Sequence, residues 1–157
     1  MPRETLSTGD LSPRDYAFYG LVWASTTLNA RVDQALARKH GMPLSWFEVM
    51  LWLNAQDEPV AASDLGAVTL LSRSQVSRVV DALDARGWAA RTPSPTDARS
   101  VRVALTDEGR RIFAEADQAR REALAELFED LLTDEEVDSL VAIVHKIKAA
   151  RAAGAGS

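Results

Sequence analysis

The stretch from Ser72 to Leu105, SRSQVSRVVDALDARGWAARTPSPTDARSVRVAL, constrains this chain more than any other. Its first half reads as a helix with a marked start and stop. Ser72 and Gln75 have the S-x-x-Q spacing of a capping box, in which the hydroxyl accepts the Gln75 N–H and the Gln side chain reaches back. Val76, Val79, Val80 and Leu83 follow at i, i+3, i+4 and i+7, a single apolar stripe, and Gly87 supplies the left-handed residue that ends a helix. The opposite face carries Ser74, Ser77 and Arg78, with Gln75 and Asp81 further round. Short hydrogen-bonding side chains with few carboxylates suit phosphates and base edges in a major groove. The second half reads as a hairpin, Trp88 to Thr92 up and Ser100 to Leu105 back, with residues 93–99 as its tip. Val101, Val103 and Leu105 alternate with Arg102 and Ala104, the period-two mark of a half-buried strand.

A helix followed by an Arg-tipped hairpin outlines a winged helix-turn-helix. Taken alone, the helix is equally consistent with an ordinary amphipathic surface helix; the hairpin and a preceding short helix favour the winged reading. The run LLSRSQVSRVVDALDARGW, the tip Asp97-Ala98-Arg99 and the segment VALTDEG (Val103 to Gly109) resemble the MarR family of bacterial transcriptional regulators. The resemblance extends over residues 12–150 and is strongest over 61–109; the D-x-R tip followed by L-T-x-x-G is the specific part. It implies a homodimer, a small-molecule-responsive repressor or activator, and an effector site between the dimerisation and DNA-binding parts.

The net charge of −5 at first argues against a nucleic-acid partner. Its distribution reverses that inference. Between Val60 and Leu105 stand six arginines, at 73, 78, 86, 91, 99 and 102, against four aspartates, which leaves the segment positive by two. None of these cations is Lys, which favours fork-shaped contacts to phosphate and guanine. The absence of Cys excludes disulfides, thiolate zinc sites and cysteine-based redox sensing, and peroxide-sensing members of the resembled family use a Cys. No apolar run has bilayer length and MPRETLSTGD lacks a secretory apolar core, so a cytoplasmic protein without membrane contact is expected.

In chain order, residues 1–11 read as a flexible arm and 151–157 as a flexible tail. Residues 12–40 and 106–150 read as a helical dimerisation region, and 41–105 as the DNA-binding domain. Ser12-Pro13 should start the first helix and Gly41 end it, with Leu21, Leu28, Val32, Ala35 and Leu36 as its stripe. Ser45 with Glu48 should box the second helix, apolar on nearly every side, and Ser63 should cap a third from Asp64 to about Leu71. Val60-Ala61 is expected to join the wing as a short strand. Thr106 should cap a long helix, and Thr133 with Glu136 should box the last. The first helix and the last two lie at opposite ends of the sequence, and one small core cannot cover all their stripes. A second chain would cover them; an intramolecular bundle is the alternative.

The expected fold class is therefore mainly α with a small β-hairpin wing. The expected partners are double-stranded DNA, a second copy of the chain and an aromatic or amphipathic effector. Ser72, Arg73, Ser74, Gln75, Ser77 and Arg78 are the candidate DNA contacts of the recognition helix, with Arg78 first choice for guanine. Arg99 is the candidate minor-groove contact, and Asp97 is read as holding the wing tip, either by capping the tip's backbone N–H groups or by pairing with a nearby Arg, with Arg86 or Arg73 as candidates. Of four tryptophans, Trp88 reads as structural; Trp23 and Trp46, with His40, are candidates for lining an aromatic effector cleft, against the plainer reading of core or interface residues. His40 and His145 lack metal-ligand spacing, and there is no nucleophile motif or phosphate loop, so neither a metal, a cofactor nor catalysis is expected. The alternative function is a winged-helix docking module without specific DNA binding.

Overall fold

Ser12 accepts the Asp15 N–H at 3.2 Å and Pro13 occupies the first turn, so α1 (Pro13–His40) begins where its backbone donors are answered. Gly41, at φ 60°, turns the chain out of it. The protein is seen here as a computed structural model that describes residues 11–94, 101–128 and 131–154. There follow α2 (Leu44–Asn54), β1 (Val60–Ala61), α3 (Ala62–Val68), α4 (Arg73–Ala85), β2 (Ala89–Pro93), β3 (Val101–Leu105), α5 (Asp107–Phe128) and α6 (Asp134–Gly154). The strands form one antiparallel sheet in the order β1-β3-β2, with Val60 opposite Val103 and Arg91 also opposite Val103 from the other side. The architecture is a winged helix-turn-helix carried on long terminal helices.

One core joins the elements from α1 to α5. Phe47, Val49, Met50 and Leu53 of α2 are buried against Val76, Val79, Val80 and Leu83 of α4, Val103 and Leu105 of β3, Val32 and Leu36 of α1, and Phe113 and Ala116 of α5. Phe47 and Phe113 stack at 5.4 Å between centroids. The C-terminal half of α1 runs along α5, with Lys39 and Glu122 paired at 2.5 Å. The expected α1 stripe is thus only partly covered: Val32 and Leu36 are buried, while Leu21 is about half exposed.

Two expected caps are corrected. Helix α2 begins at Leu44, one residue before Ser45, and has no side-chain cap of its own. The Leu44 N–H instead donates to Asp33 Oδ1 on α1 at 2.7 Å, and Glu48 accepts the Leu70 N–H at 3.0 Å, holding the turn between α3 and α4. Helix α3 starts directly out of β1 with Ala61 as its cap residue, because pairing of Ala61 with Arg102 leaves no loop for a Ser cap. It ends at Val68, earlier than expected: Thr69 turns extended and returns its hydroxyl to Leu65 O at 2.7 Å. The boxes at Ser72–Gln75 and Thr133–Glu136 form as expected. The up-strand lies one residue later than expected, and the down-strand begins at Val101, Ser100 being outside the described residues.

Candidate nucleic-acid interface

Helix α4 is fixed by its buried stripe and presents the remainder outward. Val76, Val79, Val80 and Leu83 are at most 5% exposed, whereas Ser72, Arg73, Ser74, Gln75, Ser77 and Arg78 are all exposed. At the N-terminus, Ser72 Oγ accepts the Gln75 N–H at 3.3 Å, Gln75 Oε1 accepts the Ser72 N–H at 2.8 Å, and the Ser72 and Ser74 hydroxyls lie 3.1 Å apart. The cap uses only the carbonyl oxygen of Gln75, so among the described residues its two amide N–H donors remain for a ligand. At the far end Gly87, at φ 70°, and Trp88 return their N–H groups to Asp84 O and Leu83 O, both at 2.9 Å.

The arginines of this segment divide by what they already hold. Arg86 stacks on Trp46 and Trp88, its guanidinium carbon 4.9 and 5.0 Å from the ring centroids. Arg91 is paired with Asp81 and Asp84 of α4, and Arg102 donates to Pro59 O at 2.9 Å. Among the described residues Arg73 and Arg78 make no ion pair and no hydrogen bond through the guanidinium. These two cations, beside the hydroxyls of Ser72, Ser74 and Ser77 and a positive helix N-terminus, form a surface suited to phosphate and base edges. Arg73 and Ser77 also line a groove of about 310 Å³ between α4 and the hairpin.

The base of the wing is locked to α5 through the L-T-x-x-G segment. The Thr106 N–H donates to Trp88 O at 3.1 Å, its hydroxyl donates to Gly87 O at 2.6 Å, and it accepts the Gly109 N–H at 3.0 Å. A Cβ on Gly109 would lie 1.8 Å from Trp88 O, so only glycine lets the helix approach the strand here. The sequence shows this segment as a motif; the close backbone approach that requires it is visible only in three dimensions. The wing-tip residues Asp97 and Arg99 lie outside the described residues.

The three candidate effector residues stand apart within one chain. Trp46 packs edge-on to Trp88 at 6.1 Å. His40 lines an open depression with Lys39, Ala114, Glu115 and Gln118. Trp23 is 70% exposed, and by the rise of a helix it lies about 25 Å along α1 from His40.

The sequence profile of the MarR family matches residues 40–100. The transcriptional repressor MprA of Escherichia coli K12 is 27% identical over 113 residues, 71% of this chain and 64% of MprA, so the chain spans less than two thirds of that relative. Among solved structures, Sco3205 of Streptomyces coelicolor, a MarR family regulator in complex with DNA, superposes with a TM-score of 0.80 at 25% identity, covering 92% of this chain and 91% of the other. The repressor CouR bound to a 23-mer DNA duplex gives 0.79 at 26% identity, covering 92% and 99%. CouR of Rhodococcus jostii RHA1 bound to p-coumaroyl-CoA gives 0.76 at 28%, covering 85% and 92%. Over its helix-turn-helix and wing, and in the backbone along most of its length, this chain is similar to MarR family transcriptional regulators.

Proposed function

We propose that the chain is a cytoplasmic, non-catalytic transcriptional regulator, in the first instance a repressor, that binds a pseudo-palindromic operator as a homodimer. The observation that carries this is the exposed N-terminal half of α4, held by its capping box and carrying Arg73 and Arg78, two arginines with no ion pair among the described residues. In this reading the helix enters the major groove, Arg78 reads guanine, and Ser72, Arg73, Ser74, Gln75 and Ser77 contact bases and phosphates. Arg99 reaches the adjacent minor groove, and Asp97 orders the tip. The DNA-bound Sco3205 and CouR structures support this reading.

Two uncovered surfaces support the dimer. Tyr16, Phe18, Tyr19, Leu21, Val22 and Trp23 of α1 are all exposed, and Val141, Ile143, Val144 and Ile147 of α6 are 42–55% exposed. No described side chain of α6 is buried. Residues 12–40 and 106–150 thus serve as the dimerisation region, while 41–105 carry the DNA contacts. Such patches on a water-soluble chain mark an interface. A small aromatic or amphipathic effector, in line with the ligand-bound CouR, shifts the spacing of the two recognition helices. Trp46 and His40 remain candidates on the DNA-binding side, and Trp23 would be contributed from the interface side.

Selection of bound duplexes from a random pool tests the function. An enriched pseudo-palindrome, with affinity that falls steeply with salt, is expected. Retention of the protein by other proteins with no enriched motif would establish the docking-module alternative instead.

A further inference from the structure

We propose that Arg91 is a positioning residue that sets the angle between the wing and the recognition helix, and thereby the match between major- and minor-groove contacts. This rests on the reading of the chain as a sequence-specific DNA binder. Arg91 stands at the middle of β2, opposite Val103. Its Nη2 lies 2.5 Å from Asp81 Oδ1 and its Nε 3.7 Å from Asp84 Oδ2. The two aspartates are one turn apart on the exposed side of α4, so a single planar guanidinium ties the strand to two points of the helix.

The hairpin needs such a tie. Its base is fixed by the Thr106 and Gly109 joint, but that joint holds only the end near Trp88. Further out, the groove lined by Arg73, Ser77, Val80, Arg91, Val101 and Val103 separates strand from helix. Packing leaves that gap open, and Arg91 reaches from its wall to carboxylates on α4. The same pairing removes Arg91 from the set of cations offered to phosphate. It also screens two acids that would otherwise repel the DNA from the recognition helix. Exposed pairs add little to global stability, so the consequence lies in geometry and not in the melting temperature.

Charge and position predict opposite outcomes for Asp81→Asn. If the pair acts only through charge, removing an acid from the DNA-facing helix tightens binding to every duplex. If it positions the wing, binding to scrambled duplex holds or tightens while preference for the selected operator falls about fivefold, the upper end for an exposed pair. In the Asp81→Asn background, Arg91→Gln should then reduce preference little further, and Arg91→Lys alone should recover only part of it, because an ammonium cannot span both carboxylates. Amide hydrogen exchange on the DNA-free protein gives an independent readout: Asp81→Asn and Arg91→Gln should each speed exchange in β2 and β3 and leave α2 unchanged. Tighter operator binding by Asp81→Asn, with preference and wing exchange both unaltered, would overturn the proposal. A wild-type protein that prefers no duplex would overturn the DNA-binding reading, while the exchange measurement would still decide whether Arg91 holds the wing.

Discussion

Helix α4 and helix α6 carry the same apolar period with opposite results. Val76, Val79, Val80 and Leu83 occupy i, i+3, i+4 and i+7, and all are buried; Val137, Leu140, Val141 and Val144 repeat the spacing, and Val141 and Val144 remain almost half exposed. Side-chain chemistry does not separate the two, since both stripes are Val and Leu. The difference lies in what faces them. Helix α4 meets α2 and the sheet within its own chain, whereas α6 meets no other element beyond fringe contacts among the described residues. A stripe therefore reports that a helix needs a cover, and the remainder of the fold decides whether one chain supplies it.

The covered half should break most severely at a backbone contact. Gly109→Ala puts a methyl carbon where Trp88 O already stands, and neither backbone can yield without parting Thr106 from Gly87. A loss of about 3 kcal/mol is expected, lowering the melting temperature by roughly 10 °C. A melting curve superimposable on the parent's would refute the close approach. Next in size comes the uncovered half. Val144→Glu combined with Ile147→Glu should turn the dimer into a monomer in sedimentation and weaken operator binding about 100-fold, near 3 kcal/mol, while hydrogen exchange in α4 stays slow. Persistence of the dimer would show that another surface joins the chains.

The same contrast explains what the sequence disclosed. Both α4 termini were legible, because Ser72, Gln75 and Gly87 act on neighbours within one turn. The Ser45–Glu48 and Ser63 caps were not, although their spacing is as good. Glu48 answers Leu70, twenty-two residues away, and Ala61 is claimed by a strand partner. Likewise the count of arginines between Val60 and Leu105 gave the correct sign of charge but not its allocation. Arg86 goes to two indole rings and Arg91 to two aspartates, which leaves Arg73 and Arg78 as the unpaired ones among those described. The tryptophans were separated by the same kind of long-range pairing, since Trp46 meets Trp88 rather than Trp23.

Arg78 sharpens the comparison on the polar side of α4. Arg78→Ala removes a side chain with no hydrogen-bond or ion-pair partner among the described residues, so the fold should be unchanged. Operator affinity should fall by about 2 kcal/mol with relaxed preference at one position of each half-site. An equal fall for operator and scrambled duplex would assign Arg78 to phosphate instead.

The smallest effect is expected at Asp117, on α5 where it crosses behind α2. Its side chain is only 14% exposed and accepts from Arg120 and Arg121 at 2.8 and 2.7 Å, with the Arg120 guanidinium 5.9 Å from the Phe47 ring centroid. Burial alone would raise the carboxyl's pKa; the hydrogen bonds and charges of the two arginines outweigh it and hold the group below its ordinary 3.8. A depressed folded-state pKa means that the ionised form is stabilising above the unfolded value, and that this stabilisation is lost as pH falls through the folded one. Asp117→Asn should therefore cost about 1 kcal/mol at pH 7, discounted for the partly solvated arginines. Parent and variant should converge as the pH falls through and below the carboxyl's depressed folded-state pKa. Because the site supports the covered core and not the open stripes, sedimentation should be unchanged at pH 7. A stability difference that persists undiminished in acid would assign the loss to packing around Phe47 and not to the carboxylate's charge.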